Sequence, residues 1–281
     1  MDNPKVKQIM AQVKSFPGMP ATAAKILPLL HDPEAGAARV EEIIRVDPGL
    51  TANLLKLANS AYFGLPTQVG SVRQAILVIG WKRLSQLVLT MCMSGLMKAP
   101  VPGYDLPRGG LWRHSVAVST AADILVGSLA LDDADEVFTA ALLHDIGKLV
   151  LGAYVQEDLE RIEQMVEKGL TFEVAEYIVL GTTHAEIGAR ILQRWSVPQR
   201  LADAVRLHHD PESCRKPCVL SDVVHVADIM VRAIGYGKSR NGNGSEPAFD
   251  AVERLGLASG RIQDLAQQTL QEVTRLTELV G

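Results

Sequence analysis

Apolar residues recur three and four positions apart along most of the chain, the spacing that puts one apolar stripe on a helix. Ile76, Leu77, Ile79, Leu84, Leu87 and Val88 show it most clearly. They predict a long helical stretch over 71–96, divided into two helices at Gly80. Shorter helices are expected before it, over 5–13, 21–30, 40–45 and 50–58. Beyond it the same spacing predicts helices over 111–128, 135–152, 156–167, 172–180, 184–195, 198–208, 219–234 and 262–279. No run alternates apolar and polar residues between hairpin turns, so little or no sheet is expected. No fixed-period repeat is visible. The fold class that follows is all-α.

Turn residues divide this helical text. Pro and Gly crowd together at Ala99–Gly103 and again at Pro107–Gly110, a candidate boundary. It suggests an N-terminal helical subdomain over 1–103 packed on a second helical subdomain, with C-terminal helices, over 104–281. Gly235–Glu246 reads as a polar, glycine-rich loop.

Composition narrows the setting. Hydrophobic residues make up 47% of the 281 and aromatics only 5%, a Leu- and Ala-rich balance that favours helix. The net charge of -4, from 28 basic and 32 acidic residues, gives no general pull toward nucleic acid or an anionic membrane. Cys92, Cys214 and Cys218 form no disulfide framework, and Cys214 and Cys218 lack a second Cys/His pair at zinc-finger spacing. The N-terminus has no apolar signal core, and no stretch reaches the ~18 uninterrupted apolar residues of a membrane helix. The best candidate, Leu87–Met97, is too short. A reduced, cytoplasmic setting without a membrane partner is the expectation.

The candidate chemistry lies in the second half, which holds six of the seven histidines. An apolar helix, Val137–Leu143, runs into His144-Asp145-Ile146-Gly147-Lys148. Burying such side chains without partners costs roughly 2–7 kcal/mol for a neutral polar group and more for a carboxylate. A metal would remove that cost, because imidazole and carboxylate both ligate Fe, Mn or Zn. Lys148, one turn beyond His144, shares its face and is placed to meet a phosphate oxygen. Thr183-His184-Ala185-Glu186 fits a capping box that places His184 in a first helical turn. His208-His209 closes a helix before Asp210-Pro211. Asp228 sits among Val224, Val226 and Ile229 and also needs a partner. The plainer alternative at each histidine is a hydrogen-bonded structural residue, and spacing alone leaves both open. His225 is either a support for Asp228 or an ordinary core histidine, and His31 reads as a helix end.

The order His114, His144-Asp145, Asp228 resembles the HD superfamily of metal-dependent phosphohydrolases. The further histidines His184, His208 and His209 resemble those of the HD-GYP phosphodiesterases and the related HDOD group. The first half resembles HDOD in Asp47-Pro48-Gly49-Leu50-Thr51, Leu57–Gly64, Ser71–Ile76 and Ile79-Gly80, a likeness that runs from about Phe16 to His209. The Gly-Tyr-Pro segment of HD-GYP enzymes is missing after His208-His209, and Gly110 stands where some three-metal relatives have an acidic residue.

The resemblance implies a binuclear centre bridged by Asp145. His114, His144 and Asp228 would complete one site, and His184 with one or both of His208 and His209 the other. Fe or Mn is favoured, with Zn and Co as alternatives. It implies a signal-transduction output module whose partners are signalling proteins on separate chains, not nucleic acid. The alternative is an active phosphohydrolase or phosphodiesterase on a nucleotide or other phosphoester, with Asp145 and Lys148 catalytic.

Overall fold

The computed structural model describes residues 4–32, 34–60, 62–131, 134–214, 218–236 and 248–280. The helices are α1 (Pro4–Ser15), α2 (Ala21–Leu30), α3 (Ala37–Arg45), α4 (Pro48–Ala58), α5 (Val72–Ile79), α6 (Trp81–Met97), α7 (Gly110–Leu129) and α8 (Ala134–Leu143). They continue as α9 (Lys148–Glu157), α10 (Leu159–Glu167), α11 (Phe172–Leu180), α12 (His184–Arg194), α13 (Gln199–Leu207), α14 (Val219–Ala233), α15 (Phe249–Arg254) and α16 (Ser259–Val280). Short 3₁₀ turns occupy 102–104 and 211–213. Among the described residues the only β pairing is an isolated bridge between Val101 and Leu106. The fold is all-α. The expected loop at 235–246 lies, from 237 on, outside the described residues.

The chain forms two compact units, a larger one of 1–18 and 97–270 and a smaller one of 19–96 and 271–281. Within the larger unit α1 packs on α9 and α12. Lys5 pairs with Asp158, and the Trp195 indole N–H donates to the carbonyl of Pro17 at 3.0 Å.

In the smaller unit the core is built from Ile26, Val40, Ile44, Leu54, Ala75 and Leu84, with neighbours from α2 through α6. Local polar bonds fix its corners. Asp47 caps α4 by accepting from the Leu50 N–H (2.9 Å), with Pro48 at the first helical position. Thr51 ties α4 back to α3 by donating its hydroxyl to Ile44 O (2.9 Å). Asn59 grips Val69 from both sides, accepting from its N–H (2.7 Å) and donating to its carbonyl (2.8 Å). Gly80 ends α5 at φ +89°, a backbone region that favours glycine.

In the larger unit α7, α8 and α14 pack together, as do α12 and α13. The 135–157 stretch has the length and apolar content of a membrane span, more so than 87–97. However, 89% of its apolar window is buried within the fold.

Candidate metal centre

The continuous helix expected over 135–152 is broken. α8 stops at Leu143, a four-residue turn follows, and α9 starts at Lys148. Through the turn the backbone bonds run to the third residue back: Ile146 N–H to Leu143 O, Lys148 N–H to Asp145 O and Leu149 N–H to Ile146 O. Such tightening inside a helical stretch is common where function demands a bend. The residue that permits it here is Gly147. A Cβ at 147 would lie 1.9 Å from His184 O and 2.6 Å from Gly188 N. The backbones of the turn and of α12 thus touch, which sets His144 and Asp145 beside His184.

The remaining histidines arrive from helix ends or interiors. His114 lies in the second turn of α7. Thr183 caps α12 by accepting from the Glu186 N–H (3.1 Å), so His184 is its first residue. Glu186 does not complete the capping box. Its carboxylate instead accepts from the Thr182 hydroxyl (2.9 Å). His208 caps the C-terminus of α13 and His209 follows it. Asp228 comes from the middle of α14, where Arg232 one turn later pairs with it at 2.6 Å.

All the residues expected at the site converge. His114, His144, Asp145, Lys148, His184, His208 and Asp228 are each 3% exposed or less, and His209 is half-buried. Asp145 divides its oxygens between two groups. Oδ2 faces His144 Nε2 (3.3 Å) and His114 Nε2 (3.5 Å), while Oδ1 faces His184 Nε2 (3.4 Å) and His208 Nε2 (3.9 Å). Asp228 Oδ1 lies 3.2 Å from His114 Nε2. Within Asp145–His184–His208–His209, within His114–His144–Asp145 and within His144–His208–Asp228, potential ligand atoms lie within 4.8 Å of one another.

Hydrogen bonding fixes three of the rings. His144 Nδ1 lies 2.7 Å from Ala141 O and His208 Nδ1 2.6 Å from Val205 O. A carbonyl only accepts, so each Nδ1 carries a proton, and in the neutral ring each Nε2 is left with a lone pair. His184 Nδ1 faces Glu176 Oε2 at 2.9 Å with the same consequence. Those of His144 and His208 face carboxylate oxygens, which are also acceptors, while His184 Nε2 lies 2.9 Å from His209 Nε2 and 3.4 Å from Asp145 Oδ1. His144 Nε2, His208 Nε2 and Asp145 Oδ1 have no hydrogen-bond partner among the described residues. A buried cluster of acceptors lacks a shared donor or cation. A metal ion fits it, since every donor is an imidazole nitrogen or carboxylate oxygen.

Electrostatics favour the ligating, neutral form at three of the histidines but not at His144, where burial lowers the group and the Asp145 carboxylate outweighs it and raises it. Burial lowers His208 and His209 well below the usual histidine range, and lowers His114 as well. Burial opposes ionisation of Asp145, but His144 and Lys148 outweigh it and hold the carboxyl far below its ordinary value. Burial likewise opposes ionisation of Asp228, and there Arg232 and His114 outweigh it. Lys148 Nζ donates to Asp145 Oδ2 at 2.7 Å and lies 5.2 Å from the centre of the Tyr104 ring.

Sequence reasoning did not single out Tyr104, Glu173, Glu176 or Arg232. Glu173 lies 3.5 Å from His209 and the fully buried Glu176 binds His184. Their spacing on α11, three apart, was a usable signal: it puts two carboxylates on one face of an otherwise apolar helix.

A model of the HDOD domain matches residues 16–211. An uncharacterized protein of Treponema pallidum (strain Nichols) is 26% identical over 273 residues, covering 94% of this chain and 50% of that protein. A ribonuclease Y of Thermus thermophilus is 27% identical over 146 residues, 52% of this chain and 20% of that enzyme. The chain spans half or less of the length of these relatives. A crystal structure of an HDOD domain protein of unknown function from Geobacter sulfurreducens is 24% identical, with a TM-score of 0.74 over 98% of this chain and 92% of that one. A candidate signal transduction protein from Marinobacter aquaeolei VT8 is 21% identical, with a TM-score of 0.76 over 98% and 65%. A candidate phosphohydrolase from Shewanella amazonensis SB2B is 23% identical, with a TM-score of 0.73 over 97% and 98%. At these identities the likeness establishes the fold.

Proposed function

The chain belongs to the HDOD family, and from that premise we propose that it is a signal-transduction output module whose larger unit holds a binuclear metal centre. One observation carries the metal: three buried histidines with their Nδ1 protons already committed aim Nε2 lone pairs at the two oxygens of Asp145. His114, His144, Asp145 and Asp228 would hold one ion, and Asp145, His184, His208 and His209 the other. Iron or manganese suits this mixed nitrogen and oxygen set, with zinc and cobalt as alternatives. Bound ions would supply positive charge and a water of lowered pKa.

Lys148 favours the output reading over hydrolysis. Its ammonium is buried and engaged by Asp145 Oδ2, which suits orienting the shared carboxylate more than meeting a substrate. The partners in this reading are signalling proteins on other chains, in the cytoplasm. The second reading is a phosphohydrolase or phosphodiesterase acting on a nucleotide or another phosphoester. It is supported by the names of the Shewanella and Thermus relatives and by the proximity of Lys148 to the ligand cluster. In that reading Asp145 holds the ions and Lys148 offsets negative charge on phosphorus.

Elemental analysis of protein purified without chelator tests the centre. About two equivalents of transition metal, lost in the His144→Ala, Asp145→Ala double variant, are expected. No metal in folded wild type would sink the proposal. Turnover of a phosphodiester that disappears in Asp145→Ala would replace the output reading with the hydrolase one.

A further inference from the structure

Glu176 is 0% exposed, and a buried carboxylate costs several kcal/mol unless it is well bonded. One of its oxygens is given wholly to one expected ligand. Oε2 accepts from the His184 backbone N–H at 2.8 Å and from the His184 ring at Nδ1, 2.9 Å away. Its other oxygen accepts from the Tyr104 hydroxyl. The carboxylate also sits at the N-terminus of α12, where the helix dipole favours negative charge. Tyr104 is delivered there by a close backbone approach. A Cβ on Gly103 would lie 2.3 Å from Gly152 O and 2.8 Å from Gln156 N, so the 102–104 turn lies flat on α9. The Tyr104 ring then meets the His184 ring edge-on, with centroids 5.7 Å apart.

We propose that Glu176, held by the Tyr104 hydroxyl, is the positioning residue that fixes the His184 ring with its Nε2 lone pair toward Asp145 Oδ1. This deepens the binuclear reading and rests on it for the metal. The ring geometry stands apart from it. Without the pair, His184 would be free to rotate or to carry its proton on Nε2, and its half of the centre would lose a ligand. Carboxylates placed behind ligating histidines act in this way in metal sites generally.

Two readouts on the whole chain test it: ¹⁵N NMR of the His184 ring after chelation, and cobalt(II) titration. In wild type the ring carries its proton on Nδ1. In Glu176→Leu that preference is lost, and cobalt affinity falls about 10- to 100-fold at one site of the two. Glu176→Gln keeps an acceptor and recovers both signals. Tyr104→Phe keeps the ring and shifts both in the same direction as Glu176→Leu. A Glu176→Leu protein with an unchanged His184 tautomer and wild-type affinity overturns the proposal. So does equal weakening at both sites that Glu176→Gln fails to recover, the signature of a merely structural role. If Glu176→Leu does not fold, Tyr104→Phe decides: no change in either readout overturns it. If wild type takes up no cobalt, the binuclear reading fails by itself and the NMR comparison alone judges the positioning.

Discussion

The ring of His225 reaches the backbone carbonyl of His208, Nδ1 to O at 2.7 Å. It does not serve Asp228, three residues along its own helix. Its other nitrogen accepts from the Ala248 N–H at 2.9 Å. His225 therefore braces the end of α13 that presents His208 and His209, and acts on the cluster through the main chain. Of the two roles the sequence left open for it, this is the core histidine, buried and bonded to backbone, and not a support for Asp228.

Because Asp145 faces both ligand groups, variants should separate by stoichiometry. Asp145→Ala is expected to lose both metal equivalents, and His208→Ala only one. Inductively coupled plasma mass spectrometry on folded protein checks this. Full retention of metal in Asp145→Ala would remove the shared carboxylate from the scheme.

Gly147→Ala is expected to destabilise the larger unit by more than the about 1–3 kcal/mol of ordinary overpacking. The atoms a Cβ would strike are backbone atoms of His184 and Gly188, which cannot swing aside as a side chain would. The urea midpoint should fall, and metal uptake with it. A midpoint like wild type would mean the turn and α12 do not touch as described.

Asn59→Ala should cost about 1–2 kcal/mol without changing metal content. Its amide makes both bonds that hold Val69 against the end of α4. Urea unfolding with parallel metal analysis would reveal a change in stoichiometry, which would contradict a purely local clamp.

After chelation the protein should lose stability on acidification from about pH 7.5 to about 5.5. Burial lowers His208, His209, His114 and His225 below their free value of 6.5. Below that pH the unfolded chain takes up protons that the folded chain refuses, so folding weakens as pH falls. His144 opposes this: burial lowers it, but the Asp145 carboxylate outweighs burial and the group is raised. Its contribution is present below 6.5 and fades as pH rises through its folded value. Asp145 and Asp228, depressed below 3.8, add a further loss as pH falls through their folded values. Thermal melts across this range test the sign; a melting point that rises toward the acid end would contradict it.

Helix periodicity was enough to read the all-α class and nearly every helix, because most helices bury one stripe of Leu, Val and Ala. It failed at 135–152, where apolar spacing continues through His144–Gly147 while the backbone turns. The cause of that turn is a contact with His184 and Gly188, far along the chain, which local pattern does not encode. It also passed over α15, at six residues too short to show a period. The ligand residues were legible because His and Asp are conspicuous in apolar surroundings. Glu173 and Glu176 were less so: their spacing marks a shared face, but carboxylates on a helix ordinarily face water. Tyr104, 72 residues before Glu176, offered no local sign at all. Asn59 reads locally as a helix end, which it is; its grip on Val69 needs the fold.

The double duty of Asp145 gives any decay of this centre a direction. Mutations that erode His209, the half-buried outer member, strip one half and leave the other with its full complement. A mutation at Asp145 removes the common member of both halves at once and leaves a cage of buried imidazoles without the carboxylate they share. Descendants of such a protein would therefore be expected to pass through a one-metal stage more often than to shed both ions in a single step.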